Sequence, residues 1–439
     1  MKFHFQKFFF LISIVFSILL LFFIFYKSEI YWDGLERDYY FKYYIISFVL
    51  ISFFSLGIFL NKKIKTYIII CSLSTLVAFY SLETYFTYIT NYEQYIDDYK
   101  KKMKIYSEKT GKKFDTRSKK ELLDYLKNKK QKVSLMVHPK TYFAKNLKLM
   151  PLAGISRIKT ICCNESGNYA IHKTDRHGFN NPDIEWEKNY FDYVLIGDSF
   201  VYGSAVNRPD DIASVLRKKY GKSVLNLGYP GNGPLLEYAT LKEYYKKNTL
   251  NVIWFYFDND IDDLNLELYS KILNQYYINE NFSQKLKFKQ KEIDNIVIKT
   301  IKEEERDSKK RAELYIDNPY VNFFKLYNLR KKIFPQNKIR KYKKLQEILY
   351  MAKEFSLKNK SNFYFIYLPG YEIIENPSAS LDSNIIEIIE KLEINFIDIK
   401  KEVFDKHKDP LTLFPFGMWG HYNEIGYEKT ADIINLIVN

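Results

Sequence analysis

The chain has 439 residues, 47% of them hydrophobic and 18% aromatic, with a formal net charge of +15. So much apolar side chain can bury a core and excludes a disordered chain, while a mean hydropathy of −0.31 excludes a protein that is mostly membrane. Three cysteines, Cys71, Cys162 and Cys163, exclude a disulfide framework, and without a C-x-x-C pair they offer no structural zinc site. These averages hide an asymmetry, because the apolar weight lies at the N-terminus and the remainder is Lys-rich.

Residues 8–26 (FFFLISIVFSILLLFFIFY) hold no charge, residues 43–60 form a second uncharged run, and residues 66–82 a third that TYFTYI could extend. About 20 apolar residues cross a hydrocarbon core of about 30 Å, so residues 1–90 read as a membrane anchor of about three transmembrane helices. The first run is too long for a signal peptide and lacks a small-residue cleavage site. Lys2 and Lys7 precede the first span and Lys62, Lys63 and Lys65 crowd the second loop, whereas the first loop mixes both signs. Basic residues favour the cytoplasmic side. The expected protein is therefore multi-pass in the cell (inner) membrane, with everything after the third span extracytoplasmic, or periplasmic.

Residues 91–150 are dense in Lys, Asp and Glu and read as a charged helical stalk without a core of its own. From 151 to 439 the chain reads as one α/β domain. Residues 193–196, 223–227, 251–257, 363–368 and 395–399 are brief, β-rich apolar runs bounded by Gly, Asn, Asp or Pro. Amphipathic stretches at 210–220, 235–247 and 341–357 separate them. Uniformly apolar strands alternating with helices imply a parallel sheet covered on both faces. Residues about 270–345 are charged, helix-like and strandless, an insertion expected over the C-terminal edge of the sheet, where open α/β folds bind ligands.

Polar motifs follow these strands. Gly197-Asp198-Ser199 ends the first, where a turn can expose a nucleophilic hydroxyl beside backbone N–H groups. Asn226 to Gly231 and on to Gly233 follow the second, a glycine-rich loop that lets backbone approach a ligand. Asp258-Asn259-Asp260 follow the third, and a side-chain amide there can donate to an oxyanion. His421 lies in a loop before the last amphipathic stretch, where a general base for Ser199 is needed. Each of these taken alone also fits a plain turn or helix cap.

Their order and placement resemble the SGNH (GDSL) hydrolase superfamily. Gly197-Asp198-Ser199 matches its nucleophile block, Asn226 to Gly231 its N-x₄-G block, Asn259 its asparagine, and His421-Tyr422-Asn423 with Gly426 its H-x-N-x-x-G block. The resemblance covers about 190–268 and 362–437, with residues 174–181 as a less specific lead-in. It implies a flavodoxin-like three-layer α/β/α sandwich, catalysis by Ser199 and His421, and an oxyanion hole from Ser199, Gly231 and Asn259. It also implies hydrolysis of O-acyl or O-acetyl esters on an extracytoplasmic glycan or lipid, without a cofactor. An O-acyltransferase using the same site, or a degenerate glycan-binding scaffold, is the alternative.

The sequence departs from this pattern twice. Asp258 stands where the family usually has Gly, and Trp419 and Met418 occupy the positions that normally carry the triad acid. A backbone carbonyl could orient the imidazole instead, or Asp409, twelve residues upstream, could fold back. Other features read as structural. Scattered lysines suit anionic lipid or acidic polysaccharide better than nucleic acid, which calls for a clustered basic face. Cys162 and Cys163 read as thiols, since adjacent cysteines bridge only with strain. His172 and His177 read as loop residues rather than metal ligands, and Tyr371 as core near a strand end that could line a sugar site.

Overall fold

A computed structural model describes residues 2–31, 34, 37–89, 92–143, 147–314, 323–334 and 339–438. The chain divides into two compact units, one formed by residues 1–98 and 309–338 and the other by residues 99–308 and 339–439.

The first unit is built on three helices, α1 (Lys2–Phe25), α2 (Arg37–Gly57) and α3 (Lys62–Thr84). With their extensions they give three stretches long and apolar enough to cross a membrane: Phe5–Ile30, Arg37–Gly57 and Lys62–Thr87. Their burial is inverted relative to a water-soluble bundle. Phe8, Phe16, Phe22, Phe48, Leu56 and Val77 are exposed, while the buried contacts include small and polar groups. An outer surface this apolar suits lipid. Gly57 lets the Phe10 ring seat against α2, and Gln6 donates to the Thr66 hydroxyl at 2.8 Å. A short helix, Tyr327–Ile333, belongs to this unit. The wholly buried carboxylate of Glu83 accepts from the amides of Asn328 and Leu329 at 3.0 and 2.8 Å.

The second unit contains two sheets. The first is small, with order β1 (Val133–Leu135), β2 (Lys159–Ile161), β3 (Ile171–Lys173), parallel and then antiparallel. The second has five strands, β4 (Phe191–Ile196), β5 (Val224–Asn226), β6 (Thr249–Phe257), β7 (Asn362–Leu368) and β8 (Asn395–Asp398). All its pairings are parallel, in the order β5-β4-β6-β7-β8. That is the doubly wound order in which the first strand lies between the second and third.

Alternation along the strands builds two cores. Val194, Ile196, Trp254, Tyr256 and Phe365 face one, while Tyr193, Leu195, Ile253, Phe255 and Ile366 face the other. Helix α4 (Tyr92–Thr110) begins in the first unit; α5 (Lys119–Asn128), α6 (Ser199–Tyr202) and α7 (Ile212–Tyr220) lie in the second. Next come α8 (Pro234–Tyr244), α9 (Asp260–Tyr269), α10 (Lys271–Ile278) and α11 (Gln290–Leu314). The chain closes with α12 (Ile339–Lys358), α13 (Ser383–Lys391) and α14 (Glu424–Ile437). Side chains of α8, α10, α11, α12 and α13 fill the first core, and those of α7 and α14 fill the second. The fold is the expected three-layer α/β/α sandwich.

Two expectations need revision. The charged stretch read as a stalk does carry a core: Leu122, Leu123 and Leu126 of α5 pack on Val133 and Ile161. Apolar residues at i, i+1 and i+4 give a lysine-rich helix a buried stripe. The stretch read as one insertion, about 270–345, is divided between the two units. Tyr276, Ile293, Val297 and Leu345 are buried in the first core, whereas the helix Tyr327–Ile333 belongs to the unit of α1, α2 and α3.

Candidate active site

Ser199, Gly231 and Asn259 follow the C-terminal ends of β4, β5 and β6, three adjacent strands. Ser199 is the first residue of α6, where backbone amides have no intrahelical acceptor. Asp198 caps that helix by accepting from the Phe200 amide at 2.9 Å, and its other oxygen lies 3.1 Å from the Ser199 hydroxyl. The loop after β5 is tied to this turn. Tyr229 N donates to Gly197 O at 3.1 Å, and Asn226 Nδ2 to Val201 O at 2.7 Å. Gly231 has a φ of +83°, a conformation suited to glycine. Asn259 is exposed at the start of α9, and its side chain caps no amide there. Asp258, the departure from the family pattern, accepts from the Tyr367 hydroxyl at 3.1 Å.

His421 lies in the segment before α14, which Asn423 caps by accepting from Gly426 N at 3.0 Å. His421 Nε2 sits 2.8 Å from Ser199 Oγ. Its Nδ1 meets Glu165 Oε1 at 2.7 Å, and its backbone N–H donates to Glu165 Oε2 at 2.7 Å. The third group is thus a glutamate 256 residues away in sequence. It is not Asp409, whose neighbours are His407 and Thr412.

Two small features place Glu165. The loop carrying it is anchored by Asn164 Nδ2 to Asp115 O at 2.7 Å and Ser166 Oγ to Ala205 O at 3.1 Å. On the His421 side, a Cβ at residue 420 would stand 2.8 Å from Glu165 Oε2, so Gly420 is what lets the carboxylate reach the His421 amide. The absence of an acid two or three residues before His421 was legible in sequence, but nothing local pointed to residue 165.

Only 21% of the His421 side chain and 17% of the Glu165 side chain are exposed. Burial works against the imidazolium, but the Glu165 carboxylate and its hydrogen bond outweigh it and push His421 up to about 9. For Glu165 burial again opposes the charge, yet the His421 charge and hydrogen bonds hold the carboxyl below its usual range. The resting pair is therefore imidazolium and carboxylate, with Nε2–H directed at Ser199. Behind the nucleophile, burial raises the carboxyls of Asp198, Glu237 and Asp260, which favours their neutral forms.

The lead-in motif is structural. Asp175 is fully buried and accepts from the amides of His177 and Phe179, from Asn181 Nδ2 and from the Trp186 indole. Asn181 then holds the end of β5 through Asn226 N and O. His172 is buried edge-on to Tyr202, and His177 packs on Trp186. Among the described residues, no group of three or more His, Cys, Asp or Glu side chains is placed to hold a metal ion. Cys162 and Cys163 are free thiols with sulfurs 3.1 Å apart, and Tyr371 packs edge-on to Phe414.

No protein-family model matches the chain, and no curated protein matches it. Among solved structures, a protein from Desulfitobacterium hafniense DCB-2 described as a G-D-S-L family lipolytic protein aligns at 14% identity. The alignment covers 56% of this chain and 98% of that one, with a TM-score of 0.30. At that score the likeness carries no argument about this chain.

Proposed function

We propose that this chain is a membrane-anchored serine esterase of the SGNH/GDSL type, acting on O-acyl esters of an extracytoplasmic glycan or lipid. The observation that carries the reading is the hydrogen-bonded line Glu165–His421–Ser199 at 2.7 and 2.8 Å. A nucleophile, a base and a group that orients the base are the parts acyl transfer needs. Glu165 also supplies a candidate for the missing acid, one of the two departures, with Asp258, that favour a degenerate binding protein.

In the proposed mechanism His421 first loses its Nε2 proton to solvent water or hydroxide, and Ser199 Oγ–H then turns from Asp198 to Nε2. Ser199 attacks the acyl carbonyl as Nε2 accepts the hydroxyl proton, while Glu165 stabilises the imidazolium formed. The tetrahedral oxyanion is received by the amides of Ser199 and Gly231 and by the Asn259 side chain. His421 returns its proton to the leaving alcohol. Water then attacks the acyl-enzyme with the same base and releases the carboxylic acid. Lysine placement around the spans supports an extracytoplasmic site, where cell-surface esters are the accessible substrates.

The test is hydrolysis of 4-nitrophenyl acetate by the full-length chain in detergent beside Ser199→Ala. The proposal expects turnover that the variant loses; equal rates for the two proteins would defeat it.

A further inference from the structure

His138 follows β1 in the second unit, ahead of the four motifs in sequence, and the proposed mechanism leaves it unused. Its Nδ1 is 3.1 Å from the carbonyl oxygen of Pro230, and a Cβ on Gly231 would stand 2.8 Å from the same nitrogen. A carbonyl oxygen can only accept, so the bond requires a proton on Nδ1 whether the ring is neutral or charged.

The consequence lies in the peptide that His138 grips. The Pro230–Gly231 bond is trans, the cis bond among the described residues being Arg208–Pro209. In a planar trans peptide the C=O and the following N–H point in opposite directions. Holding the Pro230 oxygen toward His138 therefore turns the Gly231 N–H to the opposite face of the loop. No backbone acceptor takes up that N–H within the described residues, and Gly231 is only partly covered. The left-handed φ of Gly231 lets the chain make this turn, and the ring fills the space a side chain there would need.

We infer that His138 is a positioning residue, fixing the Pro230–Gly231 peptide so that the Gly231 N–H is presented as an oxyanion donor. The inference rests on the esterase reading and deepens it. It assigns the orientation of one donor to a side chain outside the SGNH motifs. A freely rotating peptide would have to be reoriented as charge develops, which is the cost a preorganised donor avoids.

The test uses the full-length protein with 4-nitrophenyl acetate as the probe. His138→Leu keeps bulk but removes the donor, whereas His138→Asn places an amide N–H on Cγ, where Nδ1 is. Loss of one oxyanion donor costs about 10²–10³ in kcat, and a misdirected donor should approach that. The expected result is a roughly hundredfold lower kcat for His138→Leu with KM nearly unchanged, and recovery of most of it by His138→Asn. Wild-type kcat in His138→Leu, or no recovery by His138→Asn over His138→Leu, would overturn the inference.

A second readout is free of turnover: ¹⁵N-histidine NMR of the same protein should find neutral His138 protonated at Nδ1. Protonation at Nε2 instead would overturn the positioning role even in an active esterase. An Nδ1–H tautomer in a protein no faster than Ser199→Ala would refute the esterase reading, and the positioning role with it.

Discussion

Replacing Glu165 by glutamine probes the relay at its least expected member. The carboxylate accepts two hydrogen bonds from His421, one at Nδ1 and one at the backbone amide, each 2.7 Å long. An amide of the same shape has one oxygen and one NH₂. The backbone N–H cannot become an acceptor, so the amide oxygen should serve it and turn the NH₂ toward Nδ1. The imidazole proton is then driven to Nε2, the tautomer that cannot accept from Ser199. In serine hydrolases this error costs about 10⁴ in kcat.

A second effect runs the other way. With His421 titrating at about 9, only roughly one molecule in a hundred holds a neutral base at pH 7, and wild-type activity should rise as pH climbs toward 9. Removing the Glu165 charge lowers that pKa, so the variant should reach its plateau at lower pH. Esterase assays from pH 6 to 10, with Ser199→Ala as the background, should therefore show a loss of about 10⁴ at alkaline pH shrinking to roughly 10² at pH 7. An unshifted profile with the same loss at every pH would refute the ion pair. Unchanged activity would remove Glu165 from the site.

Asn259→Ala should lower kcat by about 10²–10³ with little change in KM, measured with the same ester, because the lost amide acts only on the developing oxyanion. A change confined to KM would mean that Asn259 binds substrate instead. Leu123→Ala empties the small core on β1 and β2, where Leu123 is wholly buried, and should cost about 2–5 kcal/mol locally. Hydrogen exchange should quicken in Val133–Leu135 and Lys159–Ile161 while the five-stranded sheet stays protected. Uniform quickening would mean that this core is not a separate cooperative element.

The five parallel strands were legible because strands covered on both faces carry apolar runs, as Tyr193–Ile196, Val252–Phe257 and Phe363–Leu368 do, whereas the edge strand Asn395–Asp398 is only partly buried and shows the run least clearly. Ser199 and His421 were legible as well, since each sits at an element boundary with a local signature. The three-residue strands of the small sheet were not. A run such as Lys159–Ile161 is too short to show a period of two, and its neighbours are polar. Glu165 was hidden for another reason. Its role comes from tertiary proximity across the fold, and the only mark it leaves near His421 is the glycine at 420 that makes room for it. His138 and Gly231 are related in the same way, a contact between distant segments that the residues around neither of them encode.

The central claim is that Ser199 is a nucleophile activated by His421, and covalent trapping tests it most directly. The full-length protein should react with a fluorophosphonate at one site, found by mass spectrometry on the peptide bearing Ser199. Ser199→Ala should not label, and His421→Ala should label far more slowly. Labelling of another residue, or wild-type labelling rates without His421, would contradict the account.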